Sequence, residues 1–113
     1  MSLDVTLTKP GCPHCGASPA GFSANITHNL GEMADAAGIY DQVWRPEENY
    51  IEYAYEMIPH LRAGIRALKS DPARFKRFDA ENGWGTYDQF VPWLEAYLEA
   101  CVRMPEAKVK VSR

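Results

Sequence analysis

Two cysteines in a short turn are the residues of this chain whose type and spacing best suit chemistry. The segment CPHCG at residues 12–16 separates Cys12 from Cys15 by two residues, and two thiolates at that spacing can chelate one zinc ion. A structural zinc needs four ligands, and the sequence has no second pair of this kind. His28 lies closest at a plausible distance. We therefore expect zinc on Cys12, Cys15, His28 and one further group, or a zinc shared between two chains.

Two alternatives for this turn stay open. The CPHC tetrapeptide resembles the active site of thiol oxidases with the thioredoxin fold, in which the pair caps a helix and the pKa of the first cysteine is lowered. Gly16, Pro19 and Gly21 follow the turn instead, and these residues start a helix poorly. The other alternative is a tight turn with two free thiols and no metal.

A polar segment, NITHN at residues 25–29, is the second candidate site. Asn25, Thr27, His28 and Asn29 put four polar side chains in five residues at the predicted start of a helix. Such a cluster can present donors and acceptors to a ligand, assisted by the free N–H groups of the helix terminus. A histidine beside amides could also act as a general base. The structural alternative is an ordinary N-cap, for which Asn and Thr are preferred residues.

A second unusual run, NGWGTY at residues 82–87, surrounds a tryptophan with two glycines. The glycines allow a sharp bend that presents the indole, so Trp84 and Tyr87 could stack on a flat ring. The following helix would offer unpaired N–H groups to an anion. In the structural alternative, Trp84 fills the core and the glycines only prepare the helix cap.

Alternating apolar residues at the two ends of the chain predict the strands that support these segments. Val5 and Leu7 alternate with polar residues near the N-terminus, and Ala107, Val109 and Val111 do so near the C-terminus. We predict a two-stranded antiparallel ribbon that joins the N- and C-terminal segments. An isolated pair is marginal, so helices must cover its apolar face.

Helical periodicity fills most of the remaining chain. A first helix is expected from Asn25 or Thr27 to Gly38, where glycine suits the C′ position. A second is expected over residues 47–69, kinked or broken at Pro59 because proline removes one backbone bond and clashes with the preceding turn.

The last helix has the clearest sequence signal. Thr86 and Gln89 form a T-x-x-Q capping box before an apolar stripe that ends near Met104. Asp71-Pro72 also indicates a short helix before it. We therefore predict an α+β fold that is mostly helical, with three main helices.

Size and composition indicate one folded domain over residues 1–113. Of its 113 residues, 46% are hydrophobic and 24% charged, as in ordinary globular proteins. No apolar run approaches the roughly 20 residues of a membrane helix, and no signal peptide is visible. Three cysteines suit a reducing compartment. We expect a cytoplasmic location and no association with a membrane.

The net charge of −3 conceals an asymmetry along the chain. Acidic residues dominate 32–56 and basic residues dominate 62–77. The basic stretch could steer an anionic ligand to one face. The isoelectric point of about 5.6 argues against a nucleic-acid-binding role, because such domains are usually basic.

Catalysis has less support in the sequence. It contains no P-loop, no Rossmann glycine pattern, no H-E-x-x-H and no G-x-S-x-G. A small enzyme with His28 as base, assisted by zinc on Cys12 and Cys15, remains an alternative, as does a zinc-knuckle protein that binds nucleic acid. No catalytic residue is assigned.

Five motifs occur in a familiar order, namely CPHCG at 12–16, NITHNL at 25–30, WRPE at 44–47, NGWGTY at 82–87 and VSR at 111–113. In these motifs the chain resembles a group of small uncharacterised proteins of phages and actinobacteria. The resemblance carries no biochemical function, but it implies a phage or prophage accessory role, such as binding a host protein.

The preferred interpretation is a non-catalytic binding module that recognises a small anionic or nucleotide-like ligand or a host protein. Its predicted site combines the two polar-aromatic segments, and a homo-oligomer is compatible with it. The predicted ligand-binding residues are Asn25, Thr27, His28, Asn29, Trp84 and Tyr87.

Overall fold

A three-stranded antiparallel sheet forms one layer of the computed structural model, which describes residues 2–8 and 20–113. Strand β1 is Ser2–Thr8, β2 is Ala20–Thr27 and β3 is Lys108–Ser112, in the order β2-β1-β3. The terminal strands pair as predicted, with Val5 opposite Val111. The two-stranded ribbon is corrected, because β2 adds a third strand on the other side of β1.

Strand β2 pairs with β1 because its apolar residues alternate with the same period. Ile26 and Phe22 lie opposite Leu3 and Leu7 and so share the inner face of the sheet. Leu3, Val5 and Leu7 are completely buried there. The outer face carries the polar partners of the same register, including the pair formed by Asp4 and Asn25.

Five α-helices, two long and three short, lie in the described part of the chain. Short 3-10 turns over His28–Leu30 and Pro46–Asn49 precede two of the helical regions. The helices are α1 Gly31–Ala36, α2 Tyr40–Trp44, α3 Ala54–Ser70, α4 Pro72–Lys76 and α5 Tyr87–Arg103.

The first predicted helix is wrong at its start. The chain stays extended as far as Thr27, whose side-chain oxygen then accepts a hydrogen bond from the Asn29 N–H at 3.2 Å. This caps the 3-10 turn, and α1 begins only at Gly31. Gly38, at φ +80°, lies in the chain between α1 and α2, where the sequence analysis ended its helix.

The second predicted helix begins seven residues later than expected, at Ala54 instead of residue 47. Residues 46–49 form a 3-10 turn that ends at Tyr50, and the chain then pairs with β3, where the Val109 N–H donates to the Glu52 carbonyl at 2.9 Å. Helix α3 is unbroken at Pro59. The proline removes only one bond, and it is exposed near the start of the helix.

Helices α3 and α5 pack against each other and close the core over the inner face of the sheet. The predicted capping box of α5 is present, and in it the Gln89 side chain accepts from the Thr86 N–H at 3.2 Å. The short helix after Asp71-Pro72 is confirmed as α4. Among the described residues, no helix combines the length and apolarity needed to cross a membrane.

Candidate functional site

The two polar-aromatic segments, more than fifty residues apart in the sequence, line one cavity of about 830 Å³. Residues 25–29 form one wall, at the end of β2 and the start of the 3-10 turn. The loop before α5 and the first turns of that helix form the other wall. Apart from residues 25–29, its lining residues are Ser2, Trp84, Gly85, Gln89 and Trp93.

Direct contacts fix the loop against the strand. The Asn29 side-chain N–H donates to the carbonyl oxygen of Trp84 at 2.8 Å, and the Asn82 side chain accepts from the Trp84 N–H at 2.9 Å. The main chain of Trp84 is thus held on both sides by side chains. Its indole is 72% exposed, so Trp84 does not fill the core.

Gly85 is the point of closest approach between the two walls. A Cβ atom there would lie 3.1 Å from the Asn29 Cβ and 3.1 Å from the Thr27 Cγ2, and its φ of +112° suits glycine. The residue is itself buried. The glycine therefore allows the loop to pack directly on the end of β2.

His28 is oriented by a hydrogen bond from the core. The Trp44 indole N–H donates to His28 Nδ1 at 3.0 Å, and Trp44 is 1% exposed. Because an indole can only donate, Nδ1 acts as the acceptor and the neutral ring carries its proton on Nε2. In this state His28 presents an N–H donor, and neither nitrogen is free to serve as a base or a metal ligand.

Asn25 is also positioned by its neighbours. Its side-chain nitrogen donates to the Ser2 hydroxyl at 2.8 Å and to the Asp4 carboxylate at 2.6 Å. Both N–H groups are therefore used within the sheet, and the amide oxygen is left as an acceptor. Cross-strand pairing places Asn25 directly opposite Asp4 on the outer face.

The helix terminus that was expected to hold an anion is occupied by side chains. The Asp79 carboxylate accepts from the Tyr87 N–H at 2.7 Å, and the Gln89 side chain accepts from the Gly85 N–H at 3.1 Å. These contacts use the donors that an anion would need. Among the described residues, the cavity lining contains no Lys, Arg, Asp or Glu. The basic stretch lies on α3, α4 and the residue that follows α4, away from this lining.

Tyr87 lies outside the cavity, unlike the other five predicted ligand-binding residues. Its ring is 8% exposed, and its hydroxyl donates to the Leu68 carbonyl at 3.0 Å. Tyr87 therefore joins α5 to α3 and has no free face for stacking. The reason is helical geometry, since the residue belongs to the first turn of α5 and faces α3.

Sequence reasoning missed Trp93 and Gln89 as cavity residues. Trp93 is half-buried, and its indole nitrogen is buried without a hydrogen-bond partner in the described part of the chain. Gln89 was assigned only to the capping box, yet its amide group also lines the cavity. The helical spacing of Gln89 and Trp93, at i and i+4, is the signal that could have placed both on one face.

The cysteine turn, with Cys12 and Cys15, lies outside the described residues, and zinc binding there stays a prediction. Within residues 2–8 and 20–113, no group of three or more His, Cys, Asp and Glu side chains is placed to hold a metal. Cys101 is completely buried in α5, and burial raises the pKa of its thiol to about 12. A thiol held protonated in this way is a poor zinc ligand and a poor nucleophile.

Alkaline pH is expected to destabilise the protein through Cys101. Its ordinary pKa is near 9, so the unfolded thiol loses its proton above that pH while the folded thiol keeps it. The free energy of unfolding should therefore fall as pH rises from about 9 towards 12. Chemical denaturation of the wild type and of Cys101→Ala measures this, and the difference between the two should shrink with pH. A pH-independent difference would contradict the expectation.

The arrangement as a whole offers neutral donors and acceptors beside an exposed indole. The imidazole of His28 is held as a donor, and its other nitrogen contacts Trp44 instead of a nucleophile. Such a site suits reversible recognition of a small molecule better than acid–base chemistry. Comparison of the chain with protein-family models, with curated proteins and with solved structures finds no match.

Proposed function

We propose that the protein is a non-catalytic binding module for a small, uncharged, ring-containing ligand. The observation that carries this proposal is the 830 Å³ cavity, in which the side chains of residues 25–29 face an exposed tryptophan. Pockets of this size commonly hold small molecules, with a few polar groups fixing their orientation. The sequence predicted an anionic ligand. Because the described lining carries no formal charge, we propose an uncharged ligand instead.

Rigidity of the site supports recognition. Asn25, His28 and Asn29 each make a hydrogen bond to another part of the fold before any ligand arrives. Binding then orders few side chains, which reduces its entropic cost. A phage-related accessory role, implied by the sequence resemblance, is compatible with such a module and is proposed on that resemblance alone.

Replacing Trp84 by alanine should abolish most ligand binding and leave folding intact. Stacking on an aromatic side chain contributes about 1–3 kcal/mol per ring, so the affinity should fall by roughly 5- to 150-fold. The indole is 72% exposed, and its removal therefore creates no buried cavity. Ligand-observed NMR with a library of small ring compounds, followed by calorimetry on the compounds that bind, measures the loss.

Tyr55→Ala is the matched control for this variant. Tyr55 is also an exposed aromatic residue, 55% exposed on α3, but it is not part of the cavity. Binding by the control should equal that of the wild type. If every compound that binds the wild type binds Trp84→Ala with the same affinity, the cavity beside Trp84 is excluded as the binding site.

A further inference from the structure

The hydrogen-bonding capacity that remains in the cavity is biased towards donors. Gln89 uses its amide oxygen for the Gly85 and Thr86 N–H groups, which leaves its two N–H donors without a partner in the described structure. His28 presents Nε2–H because Trp44 occupies its other nitrogen. Asn29 has one further N–H after its bond to Trp84.

Trp93 contributes ring surface to the lining and is not counted among these donors. Its indole nitrogen is buried without a partner among residues 2–8 and 20–113, and it is out of reach of a ligand in this structure. Free acceptors are fewer, chiefly the amide oxygens of Asn25 and Asn29.

All of these donors are uncharged, and two indoles line the same cavity. Trp84 is largely exposed, whereas Trp93 is half-buried on α5 and packs edge-on against Tyr97. Aromatic faces of this kind bind flat rings by stacking. The ligand should therefore combine a planar ring with several acceptors at its edge.

We infer that the ligand is a planar heterocycle with ring carbonyl groups, of the class of oxo-pyrimidine and oxo-purine nucleosides. This inference rests on the proposed binding function. A ring carbonyl accepts two hydrogen bonds and donates none, which matches the excess of donors. A ligand recognised through its sugar hydroxyls, in place of a ring edge, fits less well, because each buried hydroxyl proton needs an acceptor and the site has few. A phosphate adds nothing, because no cationic side chain lines the described cavity.

Calorimetric titration with uridine, inosine, cytidine, uridine monophosphate and methyl glucoside tests the inference. Uridine or inosine should bind at least tenfold more tightly than cytidine, in which an amino donor replaces a carbonyl acceptor and meets the donors of the site. The monophosphate should bind within about threefold of uridine and show little dependence on salt. Methyl glucoside should be the weakest of the five.

Gln89→Glu is the sharpest variant for this test. Glutamate keeps the oxygen that accepts from the Gly85 and Thr86 N–H groups, so the capping box and the fold are retained. It replaces the free amide donors by an acceptor. Affinity for uridine or inosine should fall by at least tenfold, and the preference over cytidine should decrease or reverse.

Several results would overturn the inferred ligand class, and they can be distinguished from results that would reject the proposed binding function. Tryptophan-dependent binding that favours cytidine, methyl glucoside or the monophosphate would leave a binding module with a different ligand class. Unchanged uridine affinity in Gln89→Glu would also reject the donor-based assignment. If none of the five compounds binds while other rings in the library bind through Trp84, only the ligand class is wrong. Absence of any Trp84-dependent binding rejects both proposals.

Discussion

Replacing Gly85 by alanine is expected to destabilise the protein by about 2–6 kcal/mol and to weaken ligand binding. The φ of +112° disfavours any side chain, at a cost of about 1–3 kcal/mol. The added methyl group would also lie only 3.1 Å from Asn29 and Thr27, so these neighbours must give by a few tenths of an ångström, and overpacking costs about 1–3 kcal/mol. The shift alters the contact between the loop and the end of β2, where the two walls of the cavity meet. Chemical denaturation and ligand titration measure the two effects.

Gly83→Ala is the control that distinguishes the effect of the close contact at Gly85 from the effect of its positive φ. Gly83 lies in the same loop with a φ of +78°, but a Cβ atom there meets nothing within 4 Å. Its replacement should therefore cost only about 1–2 kcal/mol, from the left-handed conformation alone, and should spare binding. Equal losses of stability and of binding in the two variants would show that the contact of Gly85 with residues 27 and 29 is unimportant.

Replacing Trp44 by phenylalanine should weaken both the core and the ligand site. The substitution removes the hydrogen bond to His28, worth about 1 kcal/mol, and leaves a void in the core beside Phe90. We expect a loss of about 1–3 kcal/mol in the free energy of unfolding. His28 would then be free to rotate or to change tautomer, so ligand affinity should fall although Trp44 does not line the large cavity.

The nitrogen NMR signals of His28 distinguish this effect from a simple loss of stability. In the wild type the signals should report a ring with its proton on Nε2, and in Trp44→Phe they should report mixed tautomers. Val43→Ala serves as the control, since Val43 is buried in the same helix and has no bond to His28. A single Nε2–H tautomer in Trp44→Phe would show that the indole does not set the state of His28.

The position of the cavity explains why its ligand is proposed to be uncharged although the chain carries a strong charge asymmetry. The basic residues of 62–77 lie on α3, α4 and the residue after α4, where two of them pair with exposed acids, Lys69 with Glu95 at 3.1 Å and Lys76 with Asp88 at 4.0 Å. The N-terminus of α5, which could otherwise hold an anionic ligand, is capped by the carboxylate of Asp79. Linear charge patterns therefore do not report the charge of a site that distant segments build.

Local sequence patterns were sufficient for the elements whose signals are short in range. The capping box of α5 and the Asp71-Pro72 start of α4 depend on residues within one turn of the helix, and both are present. The terminal strands were predicted from strict alternation, and their pairing followed from the need to bury one face. The α+β class was predicted for the same reason.

Local sequence patterns do not distinguish the end of strand β2 from the start of a helix. Asn25 and Thr27 are good N-cap residues, and residues 20–24, which are small apart from Phe22, give a weak alternation. Pairing with β1 decides the conformation, because the extended chain places Phe22 and Ile26 on the inner face of the sheet. The late start of α3 has the same origin, since Glu52 pairs with β3.

The sequence by itself determined that residues 25–29 and Trp84 are unusual, and it determined the local turn that surrounds the tryptophan. Only the tertiary structure decided that Gly85 joins the two segments, that His28 is held as a donor by Trp44, and that Tyr87 faces α3 instead of the ligand. The physical reason is the range of the interactions. Caps and turns form between near neighbours, whereas the walls, charge and protonation of this cavity depend on contacts that packing of the sheet against α5 creates.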